Sequence, residues 1–557
     1  AGQLAGVVSI QRSGEPGVGS TFWIRGINTF GAAKTPLILV DGVERDMDLV
    51  NVEDIKEMSI LKDASATAIY GVRGANGVVM ITTRDGSIGK PKVSLSFEAG
   101  MLSPVKVPEM LNSVQFARMY NEAYGGKFFS DEAIERYRNG SDPDLYPNVD
   151  WLGQLYKNHS WNEKVNLSVS GGTEKLTYRV SGSFLDQNGL IRHGSDNFQR
   201  YTLDAKISAE LAKWITLNYT SKWTREDYDR PTYMTGLFFH NIARRWPTCP
   251  VYDDNGHLFE GMELTQMEEG GVQTQQKNYY TQQIGLRIEP IKDWTINVDG
   301  NMRTHTNNQH WAVLPVYAYD ADNKPYAISW DGGPSYSPGA SRISEYRYIE
   351  DYFTTNIYTD YQKTINDHFF KVMVGFNAEL TKYDSFSGQG DKIISSEVPT
   401  INQTTSEQKV GGGKAENSVA GFFGRINYNY KDRYMVELNG RYDGSSRFIG
   451  DKRWGFFPSI SAGWNIAREE FFGNWADIFS TLKVRGSWGQ LGNTDTNDAW
   501  YPFYQTMPVG TANGRWLVNG VKPNTASLPS IVSSLKTWET IESWDIGLDW
   551  ALLNNRL

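Results

Sequence analysis

From Leu176 the chain reads LTYRVSGSF, and its residues sort by parity. Leu176, Tyr178, Val180, Gly182 and Phe184 share one face, and Thr177, Arg179, Ser181 and Ser183 share the other. A period of two belongs to an extended strand, whose successive side chains point to opposite faces. RYMVELNGRY repeats it: Tyr434, Val436, Leu438, Gly440 and Tyr442 oppose Arg433, Glu437, Asn439 and Arg441. Similar runs begin near Lys92, Lys164, Arg200, Trp214, Gln283, Trp294, Phe353, Phe370, Phe422, Trp454, Leu482 and Trp544, so about fourteen strands are expected.

Alternation alone does not separate a β-sandwich, apolar face inward, from a membrane barrel, apolar face outward. Connection lengths favour the barrel. Residues 171–174, the step at Ala212, 290–293 and 431–432 are short, while 224–280, 305–349, 382–417 and 492–540 are long. Short and long connections alternate when all tight turns lie on one side of a membrane. Trp294, Trp454, Trp464, Trp544 and Trp550 fall near strand ends on the apolar face, as aromatic girdles do; in a sandwich they would be core. Aromatics make up 13% of the chain, and no run of 18 apolar residues marks a membrane helix. A single cysteine, Cys249, rules out an internal disulfide framework, and a net charge of -9 argues against a general nucleic-acid binder.

The first 90 residues read differently, as a small α+β unit. Strands are expected over 4–10, 21–27, 37–40, 56–61 and 77–83, with a tight Asp41-Gly42 turn. Asn51 caps a short helical turn, with Asp54 three residues on as in a capping box. Asp63 caps a helix over 64–70 that Gly71 stops.

The run LKDASATAIYGVRGANGVVMITT, Leu61 to Thr83, resembles the plug signature of TonB-dependent receptors of the SusC/RagA type. IRGINTF (Ile24 to Phe30), PLILVDGV (Pro36 to Val43), Ser168 to Ile191 and Ser543 to Leu557 extend the resemblance along the whole chain. It implies a plug domain over 1–90 and a transmembrane β-barrel over 91–557. The expected fold is mainly β: a large antiparallel barrel, about fourteen strands of it here, with the small α+β plug in its lumen. Plugged barrels have roughly 22 strands, so further strands are expected beyond Leu557; a signal peptide, an extra N-terminal domain and a TonB-contacting segment are expected before Ala1. The signature residues are Arg25, Gly26, Asp41, Gly42, Asp63, Tyr70, Gly71, Arg73, Gly74, Asn76 and Gly77. Their glycines suit tight packing and unusual φ values. Arg25 and Arg73 are candidates to pair with acids of the inner wall; the simpler reading is that they shape the plug.

No HExxH, GxxxxGK[ST], GxSxG or CxxC motif appears, and no enzyme, metal or cofactor is expected. Asp253-Asp254-Asn255-Gly256 and Asp320-Ala321-Asp322-Asn323 resemble calcium loops but lack the EF-hand ending, and read as hairpin turns. The resemblance implies active import of oligosaccharides, glycans or peptides across the outer membrane of a Gram-negative, Bacteroidetes-like bacterium. The implied partners are TonB, outer-membrane lipid and a SusD-like lipoprotein. Substrate would lie between plug top, wall and loops. Candidate contacts are Asn28, Thr29 and Phe30 in the plug and Trp311, Tyr319, Trp330, Tyr336, Trp500, Tyr504 and Trp516 in the loops, although each loop aromatic equally suits packing within its own loop. The rival readings are a receptor with mainly signalling output, a secreted β-sandwich binding protein and a glycan-cleaving enzyme.

Overall fold

The computed structural model describes residues 7–552 apart from 12, 25–34, 63–73, 75, 260–262, 329–337, 495–499, 512–516, 530 and 533–535. Two bodies organise it.

The first is the α+β unit. β1 (Val7–Ile10) and β2 (Thr21–Ile24) form one hairpin; β3 (Leu37–Val40), β4 (Val43–Glu44), β5 (Ile55–Leu61) and β6 (Val78–Thr83) form a sheet ordered β4-β3-β6-β5. β3 and β6 run parallel, and their near-continuous apolar sequence is buried on both faces. Asp41 and Gly42 take φ of +52° and +87°, the two left-handed positions of a type I′ hairpin turn. The helix expected over 64–70, with Asp63, Tyr70, Gly71 and Arg73, lies outside the described residues, as do Arg25 and Gly26.

The second body is a single antiparallel sheet of fourteen strands, each beside its neighbour in sequence. Seven precede residue 314: β7 (Gly89–Leu102), β8 (Ser160–Gly172), β9 (Leu176–Asn188), β10 (Asn197–Ala212), β11 (Ile215–Pro231), β12 (Val272–Ile291) and β13 (Trp294–Val313). After a loop hairpin, β14 (Tyr317–Tyr319) and β15 (Pro325–Ala327), come β16 (Arg342–Ile365), β17 (His368–Asp391), β18 (Lys409–Tyr430), β19 (Tyr434–Ser445), β20 (Trp454–Asn465) and β21 (Phe479–Asn493). A second small hairpin, β22 (Val509–Thr511) and β23 (Asn524–Ala526), precedes β24 (Glu539–Leu552). Every strand start expected from the alternation falls in, or one residue before, its own strand.

Which face is buried decides the architecture. Leu438 is 44% exposed while Arg441 on the opposite face is 5% exposed, and Leu176, Val180, Trp294, Trp454, Trp464, Trp544 and Trp550 are all exposed. Polar residues such as Ser181, Lys222, Thr224 and Asp443 are buried against the plug or each other. The β-sandwich reading is therefore overturned: its apolar face would pack on a second sheet, and here that face is open. An apolar exterior around a polar interior is the arrangement of a membrane barrel wall.

Tight turns fall on one side, at 173–175, 213–214, 292–293, 366–367 and 431–433. Two expectations are corrected. The long connections are shorter than read, 232–271 in place of 224–280 for example, because β11 to β13 and β16 to β18 run 17 to 24 residues. About ten residues cross a bilayer, so these strands continue above the apolar belt with polar residues on both faces. The alternation of lengths also breaks once, at residues 466–478, a long connection on the tight-turn side.

Helices over Ser113–Tyr124, Asp131–Asn139 and Trp151–Leu155 occupy the β7–β8 connection, where the alternation gives no sign of them. Their local signals are plain. Asn112 and Gln115 form a capping box, Ser130 caps the second helix, and Gly125 and Gly140 end the first two in the left-handed region. The loops pack together over an apolar core that includes Trp151, Leu155, Ile191, Tyr233, Leu264, Met267 and Val316. Both supposed calcium loops are turns: Asp253 Oδ1 accepts from the Asn255 and His257 amides, and Asp320 Oδ1 from those of Asp322 and Lys324.

Candidate functional site

The plug sits on the wall through charge. Asp41 at the β3–β4 turn is held from three sides. Its Oδ1 accepts from the Thr83 amide (2.9 Å) and Lys206 Nζ (3.0 Å), and its Oδ2 from Thr83 Oγ1 (2.7 Å) and Lys222 Nζ (3.0 Å). Burial would raise this carboxyl, but Lys222, Lys206 and the Thr83 donors outweigh it and hold it well below the usual carboxylate range. Asp54 receives Arg179 Nη2 (2.7 Å) and Ser181 Oγ (2.9 Å). Asn51 caps its turn through the Glu53 amide, so the capping-box reading of Asp54 is corrected: that carboxylate crosses to the wall. Glu53 accepts from Ser96 Oγ at 2.7 Å and from Asn166 Nδ2, with the Ser96 hydroxyl foremost in lowering its pKa. At Asp41 and Asp54 the plug supplies the acid and the wall the base, from Lys206, Lys222 and Arg179. Arg25 and Arg73, expected to work in the opposite sense, are outside the described residues.

Above the β3–β4 edge a cavity of about 400 Å³ opens between plug, wall and loops. Thr35, Pro36 and Asn76 form its plug lip, Arg303 and Glu350 its wall, and Trp500 its loop side. Gly77 beside Asn76 has φ +90°, and a Cβ there would meet Ile24 at 2.9 Å, so this lip requires glycine. Arg303 pairs with Glu350 (2.8 Å), donates to the Glu44 carbonyl (3.0 Å) and lies over the Tyr352 ring (4.9 Å). The bidentate reach of a guanidinium lets one residue hold wall and plug together.

Trp500 continues an aromatic band along the inner wall. It stacks on Tyr383 (6.1 Å between centroids); Tyr383 meets Tyr348 (5.5 Å), Tyr348 meets His305 (5.0 Å), and His305 stacks on Tyr279 (4.1 Å). Rings at one height on four adjacent strands present flat apolar faces edged with hydroxyls, suited to pyranose rings or aromatic peptide side chains.

Of the sequence candidates, Trp500 lines this cavity. Tyr319 stacks on His257 at 3.6 Å within the loop cap, Tyr504 packs on Phe503 and Tyr501, and Trp311 stands at the upper end of β13. Asn28, Thr29, Phe30, Trp330, Tyr336 and Trp516 are outside the described residues. Arg303, Glu350, Tyr348 and Tyr383 were not singled out in the sequence. Their parity places them on the polar face, but the strand register that brings them together is a tertiary fact.

The chain matches the model of the TonB-dependent Receptor Plug Domain over residues 1–78 and that of the TonB dependent receptor-like, beta-barrel over residues 228–557. It is 28% identical to the TonB-dependent receptor SusC of Bacteroides thetaiotaomicron, over all of this chain and 56% of that protein. To the TonB-dependent receptor P26 of Formosa agariphila it is 28% identical, over 55% of that protein. It thus spans a little over half the length of these relatives. Among solved structures, the RagAB peptide importer in its closed-closed state superimposes with a TM-score of 0.82 at 21% identity, over all of this chain and 63% of that one. The siderophore receptor PirA from Acinetobacter baumannii does so at 0.53 and 13% identity, over 98% of this chain and 64% of that one.

Proposed function

The chain belongs to the TonB dependent receptor-like β-barrel family, and from that premise we propose that it works as a TonB-dependent importer of the SusC/RagA type in the outer membrane. Residues 1–90 serve as the plug and 91–557 as barrel wall. The substrates are glycans, oligosaccharides or peptides too large for open pores, taken up with a SusD-like lipoprotein in a Bacteroidetes-like bacterium. The family consists of transporters and receptors, and no bond of the cargo need be broken.

One observation carries this reading: a wall apolar outside and polar inside is closed by a plug anchored through Asp41, Asp54 and Glu53, with a binding-sized cavity on the loop side of that plug. Cargo bound there has a plug below it, and pulling on the plug is the work TonB supplies. Trp500 and the Tyr348–Tyr383 rings contact cargo, Arg303 and Glu350 hold the floor of the cavity, and Asn28, Thr29 and Phe30 precede the Thr35–Pro36 lip in sequence. The signalling alternative finds no specific support in this geometry.

The test is uptake. Cells lacking the gene are expected to lose import of fluorescently labelled oligosaccharides or mixed peptides, and a Trp500→Ala copy to restore it only weakly. Import retained in the deletion strain counts against the proposal.

A further inference from the structure

Thirteen residues, 466–478, join β20 to β21 on the side where the five tight turns take two or three. The segment folds as two 3-10 stretches, Ile466–Arg468 and Glu470–Asp477, the latter kinked at Gly473. Phe471 and Trp475 stand 71% and 61% exposed on it. Two aromatic side chains facing water would be costly, since each carries a large apolar surface.

Their neighbours indicate what covers them. The Phe471 ring lies 6.4 Å from that of Trp464, and the Trp475 ring 6.5 Å from Phe479 at the start of β21. Trp464 pairs across the sheet with Tyr434. Both belong to the outward-facing aromatic row at the tight-turn ends of the strands, with Trp214, Trp294, Tyr361 and Trp550. Polar ties fix the segment to that row: Trp464 Nε1 donates to Glu469 Oε1 (2.9 Å), and Arg433 bridges Glu469 (3.5 Å) and Glu470 (3.3 Å). Arg468, exposed at its start, presents a cation suited to a lipid phosphate.

We propose that residues 466–478 are a membrane-surface anchor that seats Phe471 and Trp475 in phospholipid, at the headgroup–acyl boundary of the leaflet next to the tight turns. Aromatic rings favour that boundary, and a short helical segment with one apolar side lies in its plane. The long connection thus widens the aromatic girdle.

Site-directed spin labelling of the full-length protein in phosphatidylethanolamine/phosphatidylglycerol vesicles tests this. Cys249 is first replaced by Ala, and a nitroxide is placed by Phe471→Cys or Trp475→Cys. Leu438→Cys serves as the lipid reference and Asp254→Cys as the water reference. Both anchor labels are expected to collide more with oxygen than with a nickel chelate, as Leu438→Cys does. A water-like ratio at both, or exclusion of both reagents by a protein partner, overturns the anchor. A water-like ratio at Leu438→Cys as well would instead overturn the barrel reading on which it rests.

Discussion

In the wall, Val436, Leu438, Ile460 and Val484 face outward and Asn439, Arg441 and Asp443 face inward. In the loop cap, Leu155, Leu264, Met267 and Val316 are buried against one another in a core of their own. The same aliphatic residues thus point in opposite directions within one chain. Apolar surface leaves water by whatever route is open. For the cap that route is its own interior; for the wall it is the hydrocarbon of the bilayer. The wall holds its shape through its hydrogen-bond ladder, which lipid cannot replace, while the cap holds its shape through packing.

The comparison can be broken or sharpened by substitution. The largest effect is expected where the wall's polar interior meets the plug. Asp41→Ala removes the carboxylate that Lys222 and Lys206 share and leaves them to Asp204 and Asp85, and removing one member of a buried pair costs up to about 3–5 kcal/mol. Hydrogen exchange over residues 37–44 would show it as plug loosening while the wall stays protected. Leu264→Ala should open a hole in the cap core at a cost of about 2–5 kcal/mol. Limited proteolysis would then cut within residues 232–271 while the barrel kept its heat-modifiable migration; unchanged resistance would mean that the loops are not held by that core.

Leu438→Arg gives the reverse test. On a lipid-facing strand near mid-bilayer it costs roughly 2–4 kcal/mol, read as weaker folding into vesicles. On a water-facing strand it would be near neutral, and such a result would end the contrast.

Acidity should separate the two regions more gently. Asp196, in the β9–β10 loop, has its carboxyl pushed up to about 6, first by burial and then by the nearby Glu15. A carboxyl whose folded pKa exceeds its unfolded value binds protons more tightly when folded. Its contribution is therefore full at low pH and is lost as pH rises through about 6. Between pH 7 and pH 5, protection of residues 189–196 should rise by about 1 kcal/mol, and Asp196→Asn should abolish the trend. The smallest effect is expected from Tyr442→Leu, which keeps an apolar outward side chain but loses the stack on Trp454 (5.0 Å). A cost of roughly 0.5–1 kcal/mol in vesicle folding is expected.

The position of each of the fourteen wall strands was legible because alternation is local: Leu176 to Phe184 or Tyr434 to Tyr442 declares a strand without reference to anything distant, whereas the short loop hairpins β14–β15 and β22–β23 gave no such sign. The plug strands β3 and β6 were legible as short apolar runs and the Asp41-Gly42 turn by its residue types, signals that are equally local. The β7–β8 helices carried readable signals in Asn112, Gln115 and Gly125, which strand periodicity alone passes over. The candidate site was legible only in outline. Trp500 could be named as a loop aromatic, but nothing in its surroundings along the chain ties it to Tyr383, 117 residues earlier.

Residue order alone therefore determined the parity of every wall strand and which of its side chains share a face, because these depend on neighbours one to four positions away. Only the folded sheet decided which face meets lipid, that Asp41 lies between two lysines from β10 and β11, and that the loops close over a core of their own. Those outcomes depend on strand register, and on which solvent touches each surface once distant segments have come together.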